Sequence, residues 1–318
     1  MSVDWPLMSL NLRAGRRPIG QMITQLEYTE VTGVAVDSGN TEVTGGAEVT
    51  ERRTRRTRVV GSSDEIRHVE HEALLAARGD ANVLITGEPG VGKSMLARYI
   101  HENSDRSPMG FAMIKCTGLP DILFESELFG HLKGSFVGAY RDKTGLLELT
   151  AGGTILLEEV SALSLGMQAR LLRYLETGEY RRIGGDRVQF QSGPDIRFIV
   201  STSASLPVRV AAGLFLDDLY GRLSAAYLTV PPLRERRDDI PSLVDHFVGD
   251  FAGQFGGGRS ADISDAVTEM LTRAEWPGNV QELKTAVLRQ LLLGSVRSSG
   301  SNGSNGSNGS SGTKTSAA

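Results

Sequence analysis

The chain has 318 residues, of which 40% are hydrophobic and 23% charged, with a formal net charge of -4. That length supports a substantial core, and the near-neutral balance excludes a protein that coats nucleic acid through bulk positive charge. A single cysteine, Cys116, excludes an internal disulfide framework and a multi-cysteine zinc site, so a reducing, cytoplasmic setting is expected.

Trp5, Pro6 and Asn11 interrupt the only stretch where a signal peptide could begin, and no apolar run approaches the roughly 18 residues of a membrane span. Residues 1–57 read as an N-terminal extension, poorly ordered, with β-prone pieces such as Glu27 to Val36. The extension closes with a basic run, Arg52, Arg53, Arg55, Arg56 and Arg58, which reads as a solvated linker in preference to a phosphate-seeking arm. At the other end, residues 297–318 are dominated by Ser, Asn and Gly and read as a flexible tail.

Between these ends, strand-like runs alternate with helical patterns. Asn82 to Thr86, Phe111 to Lys115, Thr154 to Leu157, Ile196 to Ser201 and Tyr227 to Val230 read as buried strands of a parallel sheet. Helical stretches intervene at Met95 to Glu102, Leu165 to Glu176 and Asp217 to Leu223. This alternation predicts a doubly wound α/β layer over residues 58–234. After Pro232 the strands stop, and Ile240 to Phe255, Asp262 to Ala274 and Val280 to Leu293 predict a small helical lid over residues 235–296.

Gly87-Glu88-Pro89-Gly90-Val91-Gly92-Lys93-Ser94 fits the P-loop pattern, between an apolar strand and a helix. Its glycines let backbone N–H groups turn toward phosphates, and the following helix start adds positive dipole. In such a loop Lys93 reaches the β/γ-phosphates of ATP and Ser94 holds Mg²⁺. A second acidic site is needed, and the run from Thr154 ends in Glu158 and Glu159 at a strand's carboxyl edge. Glu158 is expected on the metal side, with Glu159 as general base toward the attacking water.

Together these motifs resemble the AAA+ ATPase domain of bacterial enhancer-binding proteins, the activators of sigma-54 RNA polymerase. The most specific likeness is Glu127-Leu128-Phe129-Gly130-His131-Leu132-Lys133 followed by Gly134-Ser135-Phe136-Val137-Gly138-Ala139, which is similar to the family's Gly-Ala-Phe-Thr-Gly-Ala surface loop. The resemblance implies that this loop contacts sigma-54 and moves with nucleotide state. Phe136 is expected as an exposed apolar anchor at its tip, and Glu179 to Asp186 as a hairpin turning beside it. A homo-oligomeric ring, hexameric by resemblance, is implied because Arg222 would act on the neighbouring subunit's nucleotide.

Several positions depart from the family pattern. Glu158 stands for Asp, Ser203 for the sensor Asn after Thr202, and Val137 for the loop Thr. In Phe215-Leu216-Asp217-Asp218-Leu219-Tyr220-Gly221-Arg222-Leu223 only the second of two arginine fingers is kept, and Gln281 occupies the place of the lid's sensor Arg. The leading expectation is an ATP-binding ring that hydrolyses slowly and remodels the sigma-54 polymerase holoenzyme. The alternative is a non-hydrolysing, nucleotide-gated module that joins or inhibits rings of an active relative. No helix-turn-helix pattern follows Leu293, so neither direct DNA binding nor membrane association is expected.

Overall fold

The computed structural model describes residues 34–37, 57–185, 191–254 and 263–298. A parallel sheet forms the centre, from β2 (Val83–Thr86), β3 (Phe111–Lys115), β6 (Thr154–Glu158), β9 (Arg197–Thr202) and β10 (Ala226–Thr229). Their order in space is β3-β6-β9-β2-β10, with every neighbouring pair parallel. Parallel strands need long crossovers, which the helices supply, and both faces of the sheet are consequently covered.

One departure concerns the N-terminal extension. Val34–Asp37, β1, pairs antiparallel with β3, so this part of residues 1–57 adds an edge strand to the sheet. The rest of the basic run before Arg58 and the Ser/Asn/Gly tail lie outside the described residues. The last helix also runs further than expected, to Ser298.

Alternation along the strands divides the core in two, because successive side chains point to opposite faces. Leu84, Ile155, Leu157, Phe198 and Val200 pack on one side, against α5 (Leu165–Thr177) and α7 (Asp217–Leu223). Val83, Ile85, Leu156 and Ile199 pack on the other, against α1 (Asp64–Arg78) and α2 (Lys93–Glu102). Two further helices, α3 (Asp121–Phe129) and α4 (Leu146–Leu149), flank the glycine-bracketed loop at 134–139. Helix α6 (Leu206–Ala211) follows β9, with Pro207 in its first turn where a missing N–H costs nothing.

A third core forms after Pro232. Ile240, Val244 and Phe247 from α8 (Ile240–Gln254), Leu271 from α9 (Asp265–Arg273) and Leu283 and Val287 from α10 (Asn279–Ser298) come together with Leu233 and Trp276 from the connecting segments. Trp276 is anchored by its indole N–H, which donates to Leu271 O at 2.7 Å. Among the described residues no helix is long and apolar enough to cross a membrane.

Short strands appear in two further places. Gly130–His131 (β4) pairs with Lys143–Thr144 (β5), and Glu179–Tyr180 (β7) with Gln191–Ser192 (β8). These pairs hold the two loops that the sequence places beside each other.

Candidate functional site

The parallel order brings the carboxyl ends of β2, β9, β6 and β3 into one row, the edge where ligands bind in open α/β sheets. The phosphate loop leaves β2, and α2 begins at Lys93, two residues earlier than the sequence pattern indicates. Lys93 and Ser94 therefore sit in the helix's first turn, where unpaired backbone N–H groups and the dipole favour an anion. Gly92 caps this helix in the left-handed region at φ 107°, a conformation that a side chain disfavours.

Lys93 is buried, and its Nζ donates to Gly87 O at 2.8 Å and Glu88 O at 3.1 Å. It also lies 3.2 Å from Glu159 Oε1. Glu159 adopts φ 54°, ψ 52°, a left-handed turn directly after β6. Its other oxygen accepts from the backbone N–H and the hydroxyl of Ser203, each at 2.9 Å. The shorter Ser203 thus reaches the carboxylate from the neighbouring strand end, and Glu159 is held between a cation and two donors.

Ser94 Oγ donates to the Glu158 carboxylate. A hydroxyl and a carboxylate converging at a phosphate loop suit Mg²⁺, which takes one or two protein oxygens and completes its shell with phosphates and water. No larger metal-ligating cluster of His, Cys, Asp and Glu exists among the described residues. His68 pairs with Glu72 at 3.3 Å, and Cys116 is buried, its thiol pushed up by burial and then by the charges of Glu158 and Glu159.

The lid closes over this edge. A cavity of about 470 Å³ is lined by Val59, Val60, Ile66, Leu243 and Phe247 on its apolar side, and by Lys93, Lys115, Glu158, Glu159, Gln281 and Lys284 among its polar residues. Lysines 115 and 284 are the site residues that the motif-based reading missed. The carboxyl-edge rule that singled out Glu158 applies equally to Lys115, its register partner on β3.

Several bonds tie the lid to the phosphate loop. Gln281 N donates to Gly90 O at 3.2 Å, and a side chain at Gly90 would place its Cβ 2.4 Å from Gly278 O. Asn279 donates to Pro89 O at 3.0 Å and Glu88 Oε2 at 3.1 Å, while its own Oδ1 accepts from Leu233 N at 2.8 Å. Arg234 forms a bidentate pair with Glu88 at 2.7 and 2.8 Å. The Arg234 guanidinium, followed by the Asn279 amide, holds the Glu88 carboxyl down at about 2. Buried Arg236 donates to Val91 O at 3.0 Å, and Asp239 accepts from Ser62 N and Ser63 N, holding the segment whose Ser63 caps α1.

The glycine-bracketed loop is separate from this cavity. It is closed by Gly134 N donating to Ala139 O at 2.8 Å and Ala139 N to Phe136 O at 3.0 Å. Its tip differs from expectation: Phe136 is half-buried, edge-on to the His131 ring at 5.0 Å, whereas Val137 is fully exposed and Tyr140 is 85% exposed. The aromatic ring gains contact area by leaning on His131, and Val137, where the pattern has Thr, becomes the apolar tip. Ser135 lies under Gly184, where an added Cβ would meet Ser135 Cβ at 2.5 Å. Leu132 N donates to Ile183 O at 2.9 Å, so the segment through Gly185 does stand beside the loop; residues 186–190 lie outside the described residues.

Arg222 also lies outside the cavity lining. Its Nη2 is 3.0 Å from Glu176 Oε1 at the end of α5. Leu216 packs against the core beside α5, its N–H donating to Gln168 Oε1 at 2.9 Å.

Comparison with known proteins gives this architecture its place. Residues 59–229 match the sigma-54 interaction domain, and residues 234–298 match an AAA+ ATPase lid domain. The chain belongs to the sigma-54 interaction domain family. Within that family, the Nif-specific regulatory protein of Klebsiella pneumoniae is 41% identical over 74% of this chain and 44% of that regulator. The anaerobic nitric oxide reductase transcription regulator NorR of Citrobacter koseri is 38% identical over 80% of this chain and half of its own length. The chain therefore spans about half the length of the curated relatives it matches. Among solved structures, NtrX from Brucella abortus in complex with ADP superposes with a TM-score of 0.67 at 32% identity, covering 75% of this chain and 52% of NtrX. The same protein in complex with ATP gives 0.66 at 33% identity, covering 75% and 54%. The family's sheet and lid are thus both present in this chain.

Proposed function

We propose that this chain binds ATP with Mg²⁺ at the phosphate loop, hydrolyses it slowly within a homo-oligomeric ring, and uses residues 134–139 to engage the sigma-54 polymerase holoenzyme. In this reading residues 58–234 form the nucleotide-binding core and 235–296 its lid. The observation that carries it is the convergence of Lys93, Ser94, Glu158 and Glu159 in one cavity beneath the lid. The NtrX complexes with ADP and ATP support a nucleotide as the occupant.

The chain's own groups divide the work. Lys93 and the N–H groups opening α2 bind phosphate oxygens, and the apolar side of the cavity takes the base. Ser94 and Glu158 would hold Mg²⁺, which neutralises phosphate charge when bound. Glu159, oriented by Ser203, accepts a hydrogen bond from water and draws off its proton. Coupling to the loop has a short covalent route, because β3 ends beside Glu158 and leads through α3 directly to Gly130.

Slow turnover follows from what is absent. An arginine finger contributes about 10³–10⁵ in rate because it neutralises charge that develops in the transition state. Here position 216 is Leu, position 281 is Gln, and Arg222 is held by Glu176 of its own chain. Phosphate release measured against protein concentration, beside Lys93→Ala, tests the proposal. A rate per subunit that rises with concentration and vanishes in Lys93→Ala supports it; a wild-type rate equal to the mutant's removes the enzyme. Lys93-dependent ATP binding without hydrolysis at any concentration favours the second reading, a nucleotide-gated module that joins rings of an active relative, for which Leu216 and Gln281 already argue.

A further inference from the structure

Lys115 ends β3 in register with Glu158, one strand beyond it, and lines the same cavity as Lys93 and Glu159. Registered residues on neighbouring parallel strands project to the same face, so Lys115 shares the sheet face and the cavity of the Ser94–Glu158 pair. It is half-buried, and among the described residues no hydrogen bond or ion pair engages it.

The other cations of the cavity wall differ: Arg58 and Lys284 are exposed to solvent, and the remaining two are committed to partners. Lys93 is committed to two loop carbonyls and Glu159, and Arg236 to Val91 O and Asp239. A half-buried lysine with its donors unspent, in the wall of this cavity, is a site for anionic oxygen. In the sheet order β3 stands three strands from β2, whose end carries the loop amides that take the inner phosphates, which points Lys115 toward the outermost one. Resting on the nucleotide-binding reading above, we propose that Lys115 is a second phosphate-binding lysine, gripping the terminal phosphate from the Glu158 side and so reducing the dependence of ATP binding on divalent metal.

The charge arithmetic supports this. At the strand-end side of the cavity Glu158 and Glu159 face Lys93 and Lys115, while Arg58, Arg236 and Lys284 line it from other segments, so removing Lys115 leaves one lysine against two carboxylates on the side where the terminal phosphate would lie. Divalent metal bound at Ser94 and Glu158 would mask part of that loss, and chelation would reveal it.

The test is equilibrium titration of the full chain with ATP and with ADP, each in Mg²⁺ and in EDTA, using wild type, Lys115→Met, Lys115→Arg and Lys93→Ala. Lys115→Met is expected to weaken ATP binding in EDTA by about tenfold or more, with a smaller loss in Mg²⁺, little change for ADP, and recovery in Lys115→Arg. Wild-type ATP affinity for Lys115→Met in EDTA overturns the proposal, as does an equal loss of ATP and ADP regardless of metal, which marks a structural role. Melting curves accompany each variant, and Lys115→Gln replaces Lys115→Met if the latter is unfolded. Lys93→Ala separates the two levels: unchanged ATP binding there refutes the nucleotide site itself, whereas its loss with Lys115→Met behaving as wild type refutes only the role of Lys115.

Discussion

Asn279 gives the most quantitative test of how lid and phosphate loop are joined. It is fully buried, its backbone lies in the left-handed region at φ 55°, and its amide makes three contacts, to Leu233 N, Glu88 and Pro89. Asn279→Ala removes all three and leaves the Leu233 N–H buried without an acceptor. At about 1 kcal/mol per buried hydrogen bond, and about 1 kcal/mol more for Ala in a left-handed conformation, the loss sums to about 3–5 kcal/mol. For a body of this size each kcal/mol lowers the melting temperature by about 2–4 °C, so a fall of about 10 °C is expected in thermal unfolding followed by circular dichroism. Asn279→Gly, which tolerates the backbone, is expected to fall less than Asn279→Ala. Asn279→Asp keeps the acceptor for Leu233 N but sets a second carboxylate against Glu88, and is expected to fall as well. Asn279→Ala melting within about 2 °C of wild type would refute the reasoning, because the three contacts would then carry no net stability.

Two further outcomes are expected. Glu88 is held near 2 against an ordinary value of 4.5, so its contribution is complete above 4.5 and fades as pH falls toward 2. The stability difference between wild type and Glu88→Gln, measured by urea unfolding, should therefore shrink over that interval; a constant difference would contradict the assignment. Gly184→Ala, with φ +78° and a Cβ 2.5 Å from that of Ser135, should push the second hairpin off the loop. Tryptic cleavage after exposed Lys133 is then expected to accelerate, and an unchanged cleavage rate would show that the two segments do not brace each other.

Much of the scaffold was legible in the residues. Runs such as Ile155 to Leu157 are apolar throughout because a parallel strand is covered on both faces, and the observed β6 is buried along its whole length. The phosphate loop was equally plain, since glycine spacing and flanking periodicity are local features. The edge strand Val34–Asp37 was legible only as a β-prone piece, because pairing with β3 depends on a partner far away in the chain.

Sequence alone determined which chemical groups this protein possesses: the glycine-rich loop with Lys93 and Ser94, two carboxylates at the end of β6, and Arg222, Leu216 and Gln281 at their places along the chain. The tertiary structure decided where those groups act. It set Lys115 beside Glu158, turned Phe136 onto His131, gave Arg222 to Glu176, and fastened Asn279 to the loop. Composition and periodicity are carried by neighbours a few residues apart, whereas strand order, register and the seating of the lid arise only when distant segments bury their surfaces together.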